Sequence, residues 1–393
     1  MDPVNNPFAP GAGTPPPELA GRADILEKAR IAIARMASGK SSKHPLLIGL
    51  RGVGKTVLLD EIGARAEADG HYVLRIEAPE HRSLPAVLAP QVRIALLKLS
   101  TSAAATEYAN RALRALAGFV SSLKVSYADI ELRLDVEPEK GLADSGDLES
   151  VLTDLLTASG EAAAKAEKSL VILIDELQYV SVEQLGPFIA ALHRCAQQQL
   201  PVVLVGAGLP QLRANVGKAK TYSERLFEFF ELGPLPATDA REAIQKPLED
   251  HHVQIEPDAL SLIVEETVGY PYFLQEWGKN AWDAAPSSPI SSTDVQRARQ
   301  IVIATLDASF FAVRFDRLTT SEQRYLRAMA ELGSGPHRSG EIAEVLGKHT
   351  RELGPVRSSL IAKGMIWSPS HGDTAFTVPL FDQFLKRVMP TFE

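Results

Sequence analysis

The order of apolar and polar positions divides the chain into a first part of alternating strands and helices and a second part of helices. Short apolar runs predict strands at 45–48, 72–76, 170–174 and 201–205. The third run is an unbroken stretch of large apolar residues, which is typical of a parallel strand buried on both faces. Helical spacing predicts helices from Ala23 onward and at 55–69, 84–99, 103–118, 147–167 and 181–198. This alternation indicates an α/β fold with a mostly parallel sheet.

The strand pattern stops at Pro236, and the segments that follow carry helical spacing. The predicted helices are 238–250, 257–268, 271–284 and 293–311. Two capping-box patterns, Thr293 with Gln296 and Thr320 with Gln323, mark expected helix starts. We therefore expect a helical region after the sheet.

The last part of the chain, 316–393, has the pattern of three helices followed by two short strands around 371–373. A helix-turn-helix followed by a strand pair resembles a winged helix. Its second helix, expected at 355–363 with Pro355 in the first turn, would then be the recognition helix of a DNA-binding version.

One motif carries specific chemistry: residues 49–56 match G-x-x-x-x-G-K-[ST] and lie between an apolar strand and a helix. Glycines let backbone N–H groups close around a phosphate, and the following helix presents its N-terminus to the anion. Lys55 can reach the β- and γ-phosphates, and the Thr56 hydroxyl can bind Mg²⁺. The expected nucleotide-binding residues here are Gly49, Leu50, Arg51, Gly52, Val53, Gly54, Lys55, Thr56 and Val57.

Two carboxylates follow the buried strand at 170–174, at the sheet edge where ligands bind in parallel α/β folds. We expect Asp175 to hold Mg²⁺ and Glu176 to polarise the attacking water as a general base. A solvated acidic turn at the end of a buried strand is the alternative, and the phosphate-binding motif upstream argues against it.

These signals in this order resemble an AAA+/STAND-class ATPase of the archaeal-type or replication-initiator-like group with a C-terminal winged helix. Residues 49–56 resemble the Walker A loop, and 174–176 the end of Walker B. Arg22 is similar to the residue of a "GR" box beside the adenine, and Pro271 to the proline of a G-x-P lid motif. Arg225 resembles an arginine finger acting in cis or in trans, with an ordinary surface arginine as the alternative. The resemblance implies ATP and Mg²⁺ as ligands.

The chain departs from this family at the position called sensor 1, where a polar side chain is usual. Gly206, Ala207 and Gly208 follow the strand there and offer none. The lid segment between Leu262 and Asp294 also contains no arginine, so sensing of the phosphate by the lid would be indirect.

The expected organisation is a disordered tail at 1–18 with six prolines, a P-loop ATPase core at 19–236, a helical lid at 237–315 and a winged helix at 316–393. Within the core, 100–146 is an insertion of irregular pattern. Its residues 125–136 favour a hairpin or edge strand, which serves either as a contact surface or as plain structure.

Composition bears on the expected cellular location and on the kinds of site that the chain can contain. The 393 residues are 45% hydrophobic and include one cysteine, Cys195, which excludes a disulfide framework within one chain. Cys195 is expected to be a buried thiol on a helix. No apolar run is long enough to span a membrane, and no secretory signal is evident. We expect a cytoplasmic protein without a membrane partner.

The charge is unevenly distributed. The net charge is −8, whereas 316–393 carries ten basic and nine acidic residues. Any contact with double-stranded DNA is therefore confined to a local surface. The candidate residues for it are Arg351, Arg357, Ser358 and Lys363.

The expected function is a switch that binds Mg·ATP, hydrolyses it slowly, and couples nucleotide state to the positions of the lid and the winged helix on DNA. The alternative is a STAND-type regulatory ATPase whose winged helix binds a protein. A third class is a structural ATP-binding protein with negligible turnover. Expected partners are ATP and ADP, with duplex DNA, a protein partner or self-association as open possibilities.

Overall fold

The computed structural model describes residues 1–11, 13–78, 82–123 and 136–391. Contacts divide the chain into two units. The sheet unit consists of Arg22–Gly49 and Lys55–Leu232. The helical unit consists of Met1–Gly21, Leu50–Gly54 and Gly233–Glu393. The expected lid and winged helix thus belong to one unit, together with five residues of the phosphate-binding motif.

The sheet unit alternates strands and helices. Its elements in chain order are α1 (Ala23–Ala37), β1 (His44–Gly49), α2 (Lys55–Ala68), β2 (Tyr72–Glu77), α3 (Leu84–Leu99), α4 (Thr106–Leu123), α5 (Leu148–Lys165), β3 (Leu170–Asp175), α6 (Val182–Gln197), β4 (Val202–Gly208), α7 (Leu212–Ala219), α8 (Ser223–Leu226) and β5 (Phe227–Leu232). A short 3-10 helix, Leu177–Tyr179, follows β3.

The five strands form one sheet in the order β2-β3-β4-β1-β5, and every pairing is parallel. Every residue of β1 and β4 is buried, as are the first five of β3, so these strands lie in the core with helices on both faces. The α/β fold with a parallel sheet is confirmed.

The edge strand β5 was not expected as a strand. Its sequence is Phe-Glu-Phe-Phe-Glu-Leu, and both glutamates are exposed. Phe227 and Phe230 are buried. The exposed glutamates interrupt the continuous apolar run that marks β1, β3 and β4.

Two other expectations in this unit have different outcomes. Cys195 is fully buried in α6, and burial raises the pKa of its thiol to about 12, as expected for an inert thiol. The helix expected at 103–118 is α4, which begins and ends later. The predicted hairpin at 125–136 lies outside the described part of the chain except for its last residue, Val136.

The helical unit begins with a short 3-10 helix, Pro3–Asn5, and carries the remaining elements after Gly233. In chain order they are α9 (Ala237–Asp250), α10 (Pro257–Thr267), α11 (Pro271–Ala284), α12 (Ser292–Thr305), a π-helical segment (Leu306–Phe311), α13 (Ala312–Phe315), α14 (Thr320–Leu332), β6 (His337–Arg338), α15 (Ser339–Val345), α16 (Thr350–Ala362), β7 (Ile366–Trp367), β8 (Asp373–Phe376) and α17 (Phe381–Val388).

The last part of this unit has the element order of a winged helix-turn-helix. A helix, a short strand and two helices precede two strands, and β6, β8 and β7 form a three-stranded antiparallel sheet. The second helix of the pair, α16, begins at Thr350, so Pro355 lies inside it and not in its first turn. The C-terminal helix α17 was not expected.

The proline-rich N-terminal segment was expected to be disordered, and the structure instead packs it against α11. Phe8 is 3% exposed and fills the space left by Gly278, where an added Cβ would lie 2.7 Å from its ring. The Trp282 indole N–H donates to the Asp2 carbonyl, and Asn6 donates to the Asp283 carboxylate. Six prolines limit the chain entropy of this segment, so a few contacts suffice to fix it.

No helix in the described part of the chain is long and apolar enough to cross a membrane.

Candidate nucleotide site

The loop after β1 has the backbone of a phosphate-binding loop. Gly52 and Gly54 adopt φ values of +81° and +88°, in the left-handed region that other residues rarely enter. Nothing would contact a Cβ added at Gly54, so the requirement for glycine there is conformational. Val53 is buried between them, and α2 begins at Lys55.

Lys55, Thr56 and Asp175 form the polar centre of the sheet unit. The Lys55 side chain is buried, and its ammonium group donates to the Gly49 carbonyl at 3.0 Å. The Thr56 hydroxyl donates to Asp175 Oδ2 at 2.6 Å. Burial raises the pKa of Asp175, and hydrogen bonds from Thr56 and the Glu176 N–H oppose that shift. The structure thus brings together the two residues expected to hold a metal.

Glu176 follows directly after β3 in a left-handed conformation, with φ +50° and ψ +35°. A non-glycine residue in this region signals local strain, which is common at functional sites. The Glu176 carboxylate accepts a hydrogen bond from Gln178 Nε2. The side-chain oxygen Oε1 of Gln178 in turn accepts a hydrogen bond from the Leu209 N–H at 3.0 Å. Sequence reasoning missed Gln178, although a polar residue two positions after the acidic pair was a visible signal.

The glycines at the sensor 1 position are required by packing. A Cβ at Gly206 would lie 2.6 Å from Leu46 and 2.8 Å from Leu177. A Cβ at Gly208 would lie 2.7 Å from the Gln178 carbonyl oxygen. No side chain of β4 can therefore reach Glu176, and Gln178 takes the polar contact from another element.

Arg225 lies at the wrong edge of the sheet for a role in its own nucleotide site. It is exposed on α8, directly before β5, whose first residue Phe227 pairs with His44 at the start of β1. The phosphate-binding loop follows the other end of β1, about 16 Å away by strand rise. An arginine side chain does not span that distance, which argues against action in cis, and the arginine-finger role of Arg225 stays a prediction.

Arg22 is half-buried and lies directly before α1. The helix α1 has Leu26 and Ile33 in a shallow cleft with Ile62 and Ala66 of α2. This packing puts α1 beside the helix that starts at the phosphate loop. The contact of Arg22 with an adenine stays a prediction.

Within the helical unit, residues 50–54 are bonded to two separate segments. The Tyr272 N–H, in the first turn of α11, donates to the Gly52 carbonyl at 3.1 Å. The Arg51 N–H donates to the Thr377 carbonyl at 3.3 Å, directly after β8. Pro271 is the first residue of α11 and so lies beside the loop. The contribution of Thr377 was not visible in the sequence.

The G-x-P motif positions α11 through its glycine. Gly269 has φ +68°, and an added Cβ would lie 2.3 Å from the Leu235 carbonyl oxygen. The Leu235 N–H also donates to the Gly269 carbonyl at 2.8 Å. This close approach fixes the start of α11, where Tyr272 stacks on Phe310 at 4.8 Å between ring centroids.

The four DNA-contact candidates separate into two pairs. Arg357 donates to Thr374, Ser368 and the Asp373 carbonyl, so it joins α16 to the wing. Lys363 donates to Glu322 at 2.7 Å and to the Arg317 carbonyl. Both side chains are thus bonded within the module, and their contact with DNA stays a prediction. Arg351 and Ser358 are exposed on α16.

Two parts of the chain match known family models. Residues 18–205 match the family model described as an AAA ATPase domain. Residues 308–385 match a domain of unknown function, DUF8462. A Methanocaldococcus jannaschii protein described as an uncharacterized HTH-type transcriptional regulator, MJ0774, is 23% identical over 351 residues, which are 86% of this chain and 80% of that protein.

Solved structures are similar to this chain at low sequence identity. The Walker-type ATPase PABY2304 of Pyrococcus abyssi has a TM-score of 0.59 at 17% identity, and the match covers 95% of this chain and 97% of that one. The Aeropyrum pernix ORC1 protein in complex with DNA has a TM-score of 0.47 at 18% identity, with 94% and 93% covered.

Proposed function

We propose, from the premise that residues 18–205 are an AAA ATPase domain, that this chain is an ATP-driven switch. It binds Mg·ATP at the loop 49–56, hydrolyses it slowly, and couples the nucleotide to the positions of α11 and the winged helix. The winged helix acts on double-stranded DNA.

The oxygen ligands fit Mg²⁺. The Thr56 hydroxyl and the Asp175 carboxylate lie 2.6 Å apart, and hard oxygen donors of this kind suit that ion. Bound there, Mg²⁺ supplies positive charge that neutralises the phosphate oxygens. Lys55, already buried beside the loop, provides a second positive charge for the β- and γ-phosphates.

Glu176 orients the attacking water and accepts its proton. This role separates the switch from a structural ATP-binding protein with negligible turnover. The matched variant is Glu176→Gln, which keeps the shape and removes the base. We expect ATP to bind to this variant as to the wild type and turnover to fall at least about 100-fold. Equal turnover of the two proteins would refute the catalytic role.

The observation that carries the switch is the pair of backbone hydrogen bonds on the loop tip. Gly52 is bonded to α11 and Arg51 to Thr377 of the winged helix. Phosphates bind such a loop through its backbone N–H groups. The peptide groups that would contact the nucleotide are therefore next in sequence to those bonded to α11 and to the winged helix. A nucleotide that favours one geometry of the loop shifts the equilibrium between the positions of α11 and the winged helix. The size of this shift is set by the difference in the affinity of the nucleotide for the two states.

Hydrogen exchange tests this coupling. In Glu176→Gln saturated with ATP or with ADP, we expect protection to differ between the two nucleotides in the first turn of α11 and in the segment around Thr377. The middle of α10 serves as the internal control. Identical protection of all three segments in both nucleotides would refute the coupling.

The DNA contact rests on α16 of the winged helix. Arg351 and Ser358 are exposed on this helix, and Lys348 is exposed directly before it. The description of the Methanocaldococcus jannaschii relative as an HTH-type transcriptional regulator supports this role. With few cations on this surface, binding would be modest and sensitive to salt.

The alternative is a STAND-type regulator whose winged helix binds a protein, and one observation favours it. Arg357 and Lys363 are bonded within the module, which leaves a less basic α16 surface than the sequence indicated. Fewer phosphate contacts mean weaker DNA binding.

Fluorescence anisotropy with a labelled duplex at 50 and 200 mM salt separates the two. If DNA is the partner, Arg351→Ala weakens binding several-fold and lowers the salt dependence, whereas Lys386→Ala, an exposed lysine on α17, is the matched control. Absence of binding at the lower salt would overturn the DNA role in favour of a protein partner. The cytoplasmic location stays a prediction, as does Arg225 acting on a neighbouring copy.

A further inference from the structure

The side chain of Gln178 bridges two segments that meet at the carboxyl edge of the sheet. Gln178 lies in the 3-10 helix after β3. Its Nε2 donates to Oε2 of Glu176, and its Oε1 accepts the N–H of Leu209, which directly follows β4, at 3.0 Å. One amide therefore contacts both the proposed general base and the end of the neighbouring strand.

This arrangement fixes which way the amide faces. A glutamine side chain has one carbonyl acceptor and an NH₂ donor group, and their assignment follows from the hydrogen-bond network. The Leu209 N–H can only donate, so it requires the carbonyl oxygen of Gln178. The NH₂ group is then directed to the Glu176 carboxylate, which can only accept while ionised.

The end of β4 is shaped for this contact. An added Cβ at Gly208 would lie 2.7 Å from Gln178 Oε1 and 2.8 Å from Leu212. A side chain at Gly208 would thus displace the amide that reaches Glu176. The glycine that leaves β4 without a polar side chain is the same residue that admits Gln178.

We propose that Gln178 is the positioning residue for Glu176 in ATP hydrolysis, an inference that rests on the proposed ATPase function. In that step the water oxygen bonds to the γ-phosphorus, and the bond from phosphorus to the β,γ-bridging oxygen breaks with its electron pair leaving on ADP. The Glu176 carboxylate takes the proton from the water. Gln178 holds one carboxylate oxygen and thereby sets the direction of the other.

The Glu176 backbone is in the left-handed conformation, and the hydrogen bond from Gln178 restrains its carboxylate. A misplacement of about 1 Å in a reacting group can cost about 100-fold in rate. We therefore expect loss of the Gln178 contact to lower kcat about 10- to 100-fold and to leave KM and ATP affinity nearly unchanged.

Gln178→Glu is the informative variant because it keeps the size of the side chain and the acceptor for Leu209. It changes only the group that faces Glu176, from a donor to a second carboxylate. We expect kcat to fall while KM and ATP affinity stay nearly unchanged. A purely structural role would not separate kcat from binding in this way.

Gln184→Glu is the matched control. Gln184 lies in α6, and its Oε1 accepts the Leu84 N–H at 2.7 Å, so the same isosteric change keeps a backbone contact without reaching Glu176. Gln178→Ala is the second variant, which introduces no charge. Melting temperatures of all three report whether any loss of rate comes from unfolding.

The outcomes are distinct. The proposal predicts that kcat falls in both Gln178 variants, and that adding Gln178→Glu to Glu176→Gln causes no further fall. Wild-type kcat in Gln178→Glu, with Glu176→Gln inactive, would overturn the role of Gln178 and keep the ATPase. A higher kcat in either variant would also overturn it, because Gln178 would then hold Glu176 in an inactive orientation. No turnover by the wild-type protein with ATP bound would overturn both proposals.

Discussion

Glu322 is a buried carboxylate at the centre of the winged helix, and its removal gives a prediction with a worked magnitude. Its side chain is 4% exposed and accepts hydrogen bonds from Lys363 Nζ and Ser359 Oγ, each at 2.7 Å. It also accepts the Thr319 N–H at 2.7 Å, as the capping box of α14. Glu322→Gln keeps the shape and removes the charge that these donors stabilise.

The free energy follows from the pKa of Glu322. Burial alone raises it, but the hydrogen bonds from Lys363, Ser359 and Thr319 outweigh burial and lower it from 4.5 to about 2. At 1.36 kcal/mol for each pKa unit, the ionised form contributes about 3 kcal/mol to the folded module. Because the folded pKa is the lower one, this contribution is present above about pH 4.5 and is lost as the pH falls towards 2.

Hydrogen exchange followed by mass spectrometry of peptides from α14 and α16 measures this locally in the full chain. At pH 7 we expect Glu322→Gln to lower protection about 100-fold, which corresponds to about 3 kcal/mol. Between pH 5 and pH 3, wild-type protection should fall and that of the variant should not. Glu352→Gln, an exposed glutamate on α16, is the control.

A fall in protection of less than about threefold at pH 7 would refute this reasoning. It would mean that Lys363 and Ser359 do not stabilise the carboxylate. Lys363 would then be free to serve as the DNA contact expected from the sequence.

Three further changes test the packing and the edge of the sheet. Phe8→Ala should lower the free energy of unfolding by about 3 kcal/mol, because the ring is 3% exposed and packs against Gly278. Limited proteolysis of the N-terminal segment should become faster, and an unchanged rate would mean that Phe8 does not hold the segment. Gly206→Ala should cost about 1–3 kcal/mol in urea denaturation, since its Cβ would lie 2.6 Å from Leu46, and unchanged stability would contradict the packing argument. Arg225→Ala should leave kcat unchanged in dilute monomeric protein, because α8 lies at the far edge of the sheet; a loss of rate there would restore the role in cis.

Three of the four strands that the sequence predicted are buried on both faces, and the fourth, β2, is an edge strand with exposed residues. The apolar runs of β1, β3 and β4 report burial directly, because side chains in a central parallel strand meet helices on either side. The edge strand β5 places glutamate between phenylalanines, and its pairing with β1 becomes visible only in the sheet. A short strand interrupted by exposed glutamates has a local sequence pattern that an exposed turn can share.

Helix starts show a different limit. Thr319 with Glu322 and Thr320 with Gln323 both fit the capping pattern, one residue apart, and local sequence does not choose between them. The structure uses Thr319 and Glu322, where the contact of Glu322 with Lys363 adds a tertiary preference. At the start of α12 the box is Ser291 with Asp294 and not the expected Thr293 with Gln296.

The residues of the candidate site also differ in how far the sequence predicts their roles. The glycines of the phosphate loop were visible because their chemistry is local, and the structure brings Thr56 to Asp175. Gln178 was visible as a polar residue after the acidic pair, but its role depends on Leu209, which is remote in sequence. The role of Thr377 depends in the same way on Arg51. The proline-rich composition before residue 18 indicated disorder, but composition contains no information about the space that Gly278 leaves for Phe8.

The bond from Arg51 to Thr377 also sets an order of events during synthesis. The phosphate-binding loop is made before most of the sheet unit, whereas the carbonyl that accepts its N–H is made after the whole of that unit. N-terminal parts of a chain fold first, so the sheet unit can assemble while the tip of the loop still lacks this partner. A chain interrupted between Leu232 and Thr377 would carry every residue of both nucleotide motifs and still lack this bond.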